Sequence, residues 1–231
     1  IFIGTWGYGV YRSTDAGVSW LPANNGLSWP YVNALAVSPN YATDQIVYVG
    51  IDTQGVYKSI DGGASWHSSN SGLGSLLVSS LAINPADSQV VLAGTFDRGI
   101  YRSTNGGQSW VPVAVGNDIV WCLAFSSANP QVVYAGTDGG VFRSTDRGQT
   151  WTATILGNKT YSLTIHPSDS LFVMAGTSGS GVFMTLNGGM SWKPINEGLE
   201  NRVVQALTID LGGCHLLYAG TNDGVWEWKI P

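Results

Sequence analysis

Three arginines stand at one recurring place: Arg12 in "GVYRS", Arg102 in "GIYRS" and Arg143 in "GVFRS", with Lys58 in "GVYKS" as a fourth cation. Cations that converge can grip a carboxylate. Asp97 and Asp138 each follow a "GT" or "GTF" turn, and two carboxylates at a set separation are what glycosidic hydrolysis needs. The remaining acids outside recurring positions are Asp118, Glu197, Glu200, Asp210 and Glu227. His67, His166 and His215 show no metal-ligand spacing, so no metal is expected. "GTDGG" at 136–140 has hairpin rather than phosphate-loop form, and no cofactor motif is present. Cys122 in the apolar "VWCLAF" and Cys214 in the turn "LGGCHL" read as free thiols, not a disulfide. Most of these candidates recur with the chain's internal period, so the elements that carry them come first.

The stretch "RSTDAGVSW" ends at Trp20. Relatives of it end at Trp66, Trp110, Trp151 and Trp192, a period of roughly 41–46 residues. Such a period marks an array or a propeller. Four short apolar pieces accompany each copy. Strand A is the "VNALAVSP" type, strand B the "IVYVG" type, strand C the "GVYRS" type, and strand D begins at the boxed Ser/Thr-Trp. Each runs 4–8 residues and is bounded by Gly, Pro, Asn or Asp, which is the pattern of strands and turns. No segment sustains a 3.6-residue period. The chain is therefore expected to be all-β, built of four-stranded antiparallel sheets arranged as a propeller. It reads as a single domain, residues 1–231, with blades at 1–30 (partial), 31–76, 77–118, 119–158, 159–202 and 203–231 (partial).

Between strands C and D the pattern is Ser/Thr-x-Asp/Asn-x-Gly-x-Ser/Thr-Trp, with Asp15, Asp61, Asn105, Asp146 and Asn187 at its centre. A short side-chain oxygen there can accept backbone N–H groups within the turn. The glycine supplies a positive φ. The tryptophan can cover the turn and pack between sheets. The box thus needs no substrate to explain it. It resembles the Asp-box, or BNR, repeat found in sialidases, xyloglucan hydrolases, the sortilin luminal domain and the photosystem II assembly factor. The resemblance covers essentially the whole chain. It implies a propeller whose boxes are structural hairpins remote from any active site. It does not choose between enzymes and binding proteins, since its hosts include both. The Arg-Ile-Pro signature of sialidases is missing, so Arg12, Arg102 and Arg143 are expected to be solvated on an outer strand.

In a propeller the D–A and B–C connections emerge on one face. There the chain places Trp6, Tyr8, Trp29, Tyr31, Phe96, Arg98, Trp121, Lys159, Tyr161 and Arg202. Aromatic and Arg side chains are enriched in recognition sites. The expectation is a non-enzymatic module binding a protein or a glycan through this face. The enzyme alternative is a xyloglucanase-like glycosidase, and a third reading is an assembly factor.

Net charge is −5 and no basic cluster occurs, which argues against nucleic acid. No apolar run approaches the ~20 residues of a membrane helix. Charged residues make up only 11% of the chain, against about 25% in a typical domain. With 31 Gly and 10 Trp, that composition suits an extracytoplasmic all-β protein. "NKT" at 158–160 is a glycosylation sequon. Strand counting finds no A strand in the first unit and no D strand in the last. One upstream D–loop–A segment is expected to complete six blade positions.

Overall fold

A computed structural model describes residues 1–115, 119–210 and 216–230. Asp118, Cys214 and His215 lie outside the described residues. The chain divides into two compact units, Ile1–Ile119 and Val120–Pro231.

The first unit holds three antiparallel sheets. They are β1 (Phe2–Thr5), β2 (Gly9–Arg12) and β3 (Leu21–Pro22); β4 (Val32–Val37), β5 (Val47–Ile51), β6 (Gly55–Ser59) and β7 (His67–Ser68); and β8 (Val78–Asn84), β9 (Asp87–Thr95), β10 (Ile100–Ser103) and β11 (Val111–Val113). The second unit holds β12 (Val120–Phe125), β13 (Val133–Thr137), β14 (Gly140–Ser144) and β15 (Thr152–Ala153); β16 (Thr160–Ile165), β17 (Val173–Thr177), β18 (Val182–Thr185) and β19 (Lys193–Pro194); and β20 (Val204–Asp210), β21 (Leu216–Thr221) and β22 (Gly224–Lys229). Strands follow in chain order within every sheet. This is an all-β fold of six three- or four-stranded antiparallel sheets, consistent with a propeller. Among the described residues β1–β3 has no A strand and β20–β22 no D strand, as the repeat text predicts.

In three of the four-stranded sheets the B strand is the most buried. β5, β13 and β17 are buried along their whole length, as expected for apolar strands covered on both faces. Side chains from successive sheets pack together within each unit. Val10, Val32, Val49 and Trp66 form one cluster in the first. Val182, Leu199, Val204 and Leu217 form one in the second.

Three features differ from the sequence reading. A single helical turn, α1 (Tyr41–Asp44), occupies the β4–β5 connection. Ser38 Oγ donates to Asp44 there, and four residues are too few to show a helical period. The D strands begin after the boxed Trp rather than at it. The Trp66 backbone N–H is committed to Asn25 O of the preceding sheet, so it cannot join its own ladder. Finally, Arg12, Arg102 and Arg143 are half-buried rather than freely solvated. Each pairs across the ladder with a B-strand residue, Phe2, Leu92 or Tyr134. The Arg12 and Arg143 guanidinium groups lie 6.0 and 5.9 Å from the Phe2 and Tyr134 ring centres, and Lys58 Nζ lies 5.3 Å from Tyr48. Such contacts stabilise desolvated cations. In the fifth sheet the same pair is Met174 with Met184, neither aromatic nor cationic.

Every A strand carries a register shift after its first residue: at Val32/Ala34, Val78/Ser80, Val120/Cys122, Thr160/Ser162 and Val204/Ala206. A bulge bends the strand and re-aims one side chain. The residues standing on these bulges are Asn33, Ser79, Trp121, Tyr161 and Gln205.

Candidate functional site

Turn and loop hydrogen bonds place the B–C and D–A connections at the same end of the sheets in each unit. Gly7 and Gly9 N–H groups donate to Pro30 O, Asp52 N–H to Tyr31 O, and Phe96 N–H to Leu77 O. In the second unit Ser178 N–H donates to Lys159 O, and the Gly179 and Gly181 N–H groups to Arg202 O. A backbone anchored at both connections presents its side chains from a fixed frame.

In the first unit Trp6 bridges to Tyr31 and their rings meet edge-on, 5.3 Å apart at 72°. The Trp29 ring also meets Tyr31, tilted at 42° and 5.5 Å away. Trp6 and Tyr8 are each 74% exposed and Trp29 45%. Large rings left in water at the end of a built turn are the informative kind of exposure. Phe96 is half-buried beside exposed Arg98. Arg98 Nε lies 3.8 Å from Asp97, whose carboxylate also accepts from Ser75 Oγ.

In the second unit the bulges at Trp121 and Tyr161 bring their rings edge-on, 5.0 Å apart at 80°. Lys159 Nζ lies 4.4 Å from the Trp121 ring centre and 5.4 Å from that of Tyr161. It also pairs with Asp138 at 3.0 Å, and Trp121 Nε1 donates to the same carboxylate oxygen at 2.7 Å. Partial burial works against the Asp138 anion, but the Trp121 N–H and the Lys159 ammonium outweigh it and hold its pKa below the ordinary carboxylate range. Arg202 contributes its carbonyl to the neighbouring turn and exposes its side chain.

Asp97 and Asp138 are thus each engaged by groups of their own unit. Among the described residues no cluster of three or more His, Cys, Asp or Glu is arranged to hold a metal. Cys122 is free. Burial pushes its thiol up to about 12, with a small opposing effect from the Gly136 N–H, so it is no nucleophile at neutral pH.

The boxes are built alike. Ser59 Oγ accepts from Gly63 N–H and donates to Asp61, which accepts from Ser65 N–H and Oγ. Asp15 and Asp146 repeat the pattern. Where Asn105 and Asn187 replace Asp, Nδ2 donates to Ser109 or Ser191 and the hydroxyl reverses its role. Trp66 and Trp110 are 2% exposed and donate from Nε1 to Ala23 O and Ser69 O of the preceding sheet. Trp20 and Trp151 donate instead to Gly17 O and Gly148 O of their own turns. Trp192 Nε1 is buried without a partner.

Sequence reasoning missed two features. Trp121 and Tyr161 share their bulge position with Asn33 and Gln205, and the second residue of each A piece was the available signal. The other is Asn-x-Gly-Leu, present as Asn24–Leu27, Asn70–Leu73 and Asn196–Leu199. In each, the Asn Oδ1 accepts from strand C (Val10, Val56 or Val182 N–H, all at 2.7 Å), and Nδ2 donates to the turn before it. Grooves lined by Arg12, Lys58 and Arg143 lie where a D strand meets the next box. They repeat one architectural gap rather than form one special site.

A family model described as "Sortilin, neurotensin receptor 3" matches residues 98–208. No curated protein sequence matches the chain. Among solved structures, an ancestral GH74 enzyme superposes with a TM-score of 0.80 at 21% identity, over 99% of this chain and 36% of that one. The extracellular domain of a hybrid two-component system from B. thetaiotaomicron gives 0.75 at 16% identity, over 97% and 31%. The GH74 xyloglucanase from Xanthomonas campestris gives 0.66 at 16%, over 95% and 38%. The chain therefore spans about a third of these proteins. At such identities the likeness is one of fold, and its hosts include enzymes and extracellular sensor domains.

Proposed function

We propose that this chain is a non-enzymatic, extracytoplasmic binding module that takes a ligand on the face formed by its D–A and B–C connections. The observation that carries this reading is the group of exposed Trp6, Tyr8 and Trp29 around half-buried Tyr31, held by backbone bonds to Pro30. Planar rings on a rigid frame stack on sugar faces at little entropic cost, so a glycan is the favoured ligand and a protein the second choice. The extracellular neighbours support the location. Among the described residues no helix is long and apolar enough to cross a membrane. A glycan array followed by calorimetry tests the proposal. Saturable binding that falls at least tenfold in Trp6→Ala, with an unchanged melting temperature, is the expected result. Release of reducing ends from xyloglucan by the purified chain would replace this reading with the glycosidase one.

A further inference from the structure

The grooves at Arg12, Lys58 and Arg143 share one architecture, but the third is furnished differently. In the first two, the junction between a sheet and the next box is drawn together by two devices. The boxed indole reaches across it: Trp66 Nε1 donates to Ala23 O and Trp110 Nε1 to Ser69 O. An Asn at the end of the D strand, Asn24 or Asn70, lines the groove and accepts from Val10 or Val56 N–H.

The Arg143 groove has neither. Thr154 N–H donates to Val141 O as Ala23 N–H does to Val10 O, so Ile155 is the counterpart of Asn24 and Asn70. Val141 N–H turns instead to Leu156 O, and Trp192 Nε1 is buried without a partner. Ile155 N–H reaches Gly189 O of the next box only at 3.4 Å. The cation is also left open. Lys58 Nζ donates to Gly106 O at 2.8 Å, whereas Arg143 makes no ion pair among the described residues and its Nε is buried without a partner. The Tyr134 hydroxyl beside the guanidinium gives its proton to Ser170 O. Asp146 and Asp169 are held by their own turns. Thr152 and Thr154 bring hydroxyls to the groove, and Ile155 and Met190 stand 71% and 72% exposed along it. Thr154 Oγ1 accepts from Leu156 N–H, which leaves its own proton to donate.

We propose that this groove is a binding site for a small monocarboxylate with an apolar body, its carboxylate on Arg143 and its body between Ile155 and Met190. A planar carboxylate matches the guanidinium fork with two parallel bonds. A buried donor without an acceptor is costly, and a guanidinium that no carboxylate of the protein fixes is free to turn toward one brought by a ligand. A single cation in a chain of net charge −5 favours a singly charged ligand over a doubly charged phosphate. The Thr152 and Thr154 hydroxyls add donors, and the two exposed apolar side chains lose water when the ligand covers them. This inference is independent of the aromatic face.

The probe is phenylacetate, titrated into the ¹⁵N-labelled protein and followed by amide chemical shifts. Saturable shifts at millimolar phenylacetate are expected, confined to residues 150–156 and 188–190 and to the Trp192 indole N–H. Phenylacetamide, which keeps the shape and loses the charge, should bind at least tenfold more weakly to the same unaltered protein. Arg143→Gln should weaken phenylacetate at least tenfold. Ile155→Asn, which restores the side chain of the other two junctions, should weaken it as much while keeping the spectrum folded. Trp6→Ala should leave it unchanged. Equal binding of the amide, shifts that survive Arg143→Gln or Ile155→Asn, or no shifts at 150–156 and 188–190 would overturn the proposal. The comparison of acid with amide needs no variant, so it decides even where a substitution unfolds the chain.

Discussion

At the scale of single residues, the box explains why Asp and Asn interchange. Asp61 accepts three bonds, and these hold its carboxyl at about 2, against an ordinary 3.8. The main causes are the Ser65 and Ser59 hydroxyls, then the Ser65 N–H. The carboxyl is depressed in the folded state, so its contribution is present above pH 4 and is lost as pH falls through about 2. Asp61→Ala should cost about 1 kcal/mol, like other local caps. Asp61→Asn should cost much less, because Asn105 and Asn187 already fill this role, and it should shallow the acid limb of a melting-temperature profile. A full loss in both variants would break the equivalence. A second residue-scale expectation concerns Ala16, at φ 59 where three other boxes carry Gly62, Gly106 or Gly188 and the fourth carries Arg147 at φ 61. A non-Gly residue there costs roughly 1–2 kcal/mol, partly offset by glycine's own entropy. Ala16→Gly should therefore raise the urea midpoint by the equivalent of about 0.5–1 kcal/mol.

Elements show where the sequence was legible and where it was not. The A, B and C pieces could be read because their patterns are local: alternation, β-branching and a bounding Gly. The box could be read because five copies stayed in phase. The Asn-x-Gly-Leu turn was not read, because its partners are distant. Asn70 acts on Val56 and Gln54, and Gly72 on the next box. The bulges also escaped, since one extra residue in a strand leaves no mark on composition. The ten binding candidates could be read onto the D–A and B–C connections, but Trp121 and Tyr161 stand on bulges inside β12 and β16, and which rings touch depends on that bulge geometry. Gly72 gives the cleanest test. Its φ is +78°, and a Cβ there would stand 2.3 Å from Trp110 O. Backbone cannot yield as a flexible side chain can, so Gly72→Ala should destabilise by more than about 2 kcal/mol. Gly157→Ala meets nothing within 4 Å and should stay within about 0.5 kcal/mol of wild type in the same denaturant series.

For the molecule taken whole, its ten tryptophans serve two purposes, and the division can be measured. Trp66 and Trp110 are closed in between sheets, each spending its N–H on the sheet before it. Trp6 and Trp29 stand on connections with much of their rings in water. The first kind answers to stability, and the second belongs to the face proposed for recognition. Iodide, which cannot enter the core, should quench a minority of the native emission. Trp6→Phe and Trp29→Phe together should remove most of that quenchable fraction without shifting the melting temperature. Trp110→Phe should leave the quenchable fraction unchanged but destabilise by about 2 kcal/mol or more, because Ser69 O loses its donor and the smaller ring leaves a gap. If the ligand of the aromatic face is bound through these rings, saturating it should protect the same emission that Trp6→Phe and Trp29→Phe remove. Protection that survives the double variant would place the ligand elsewhere on the molecule, and the Trp121–Lys159–Tyr161 group of the second unit would then be the next surface to substitute.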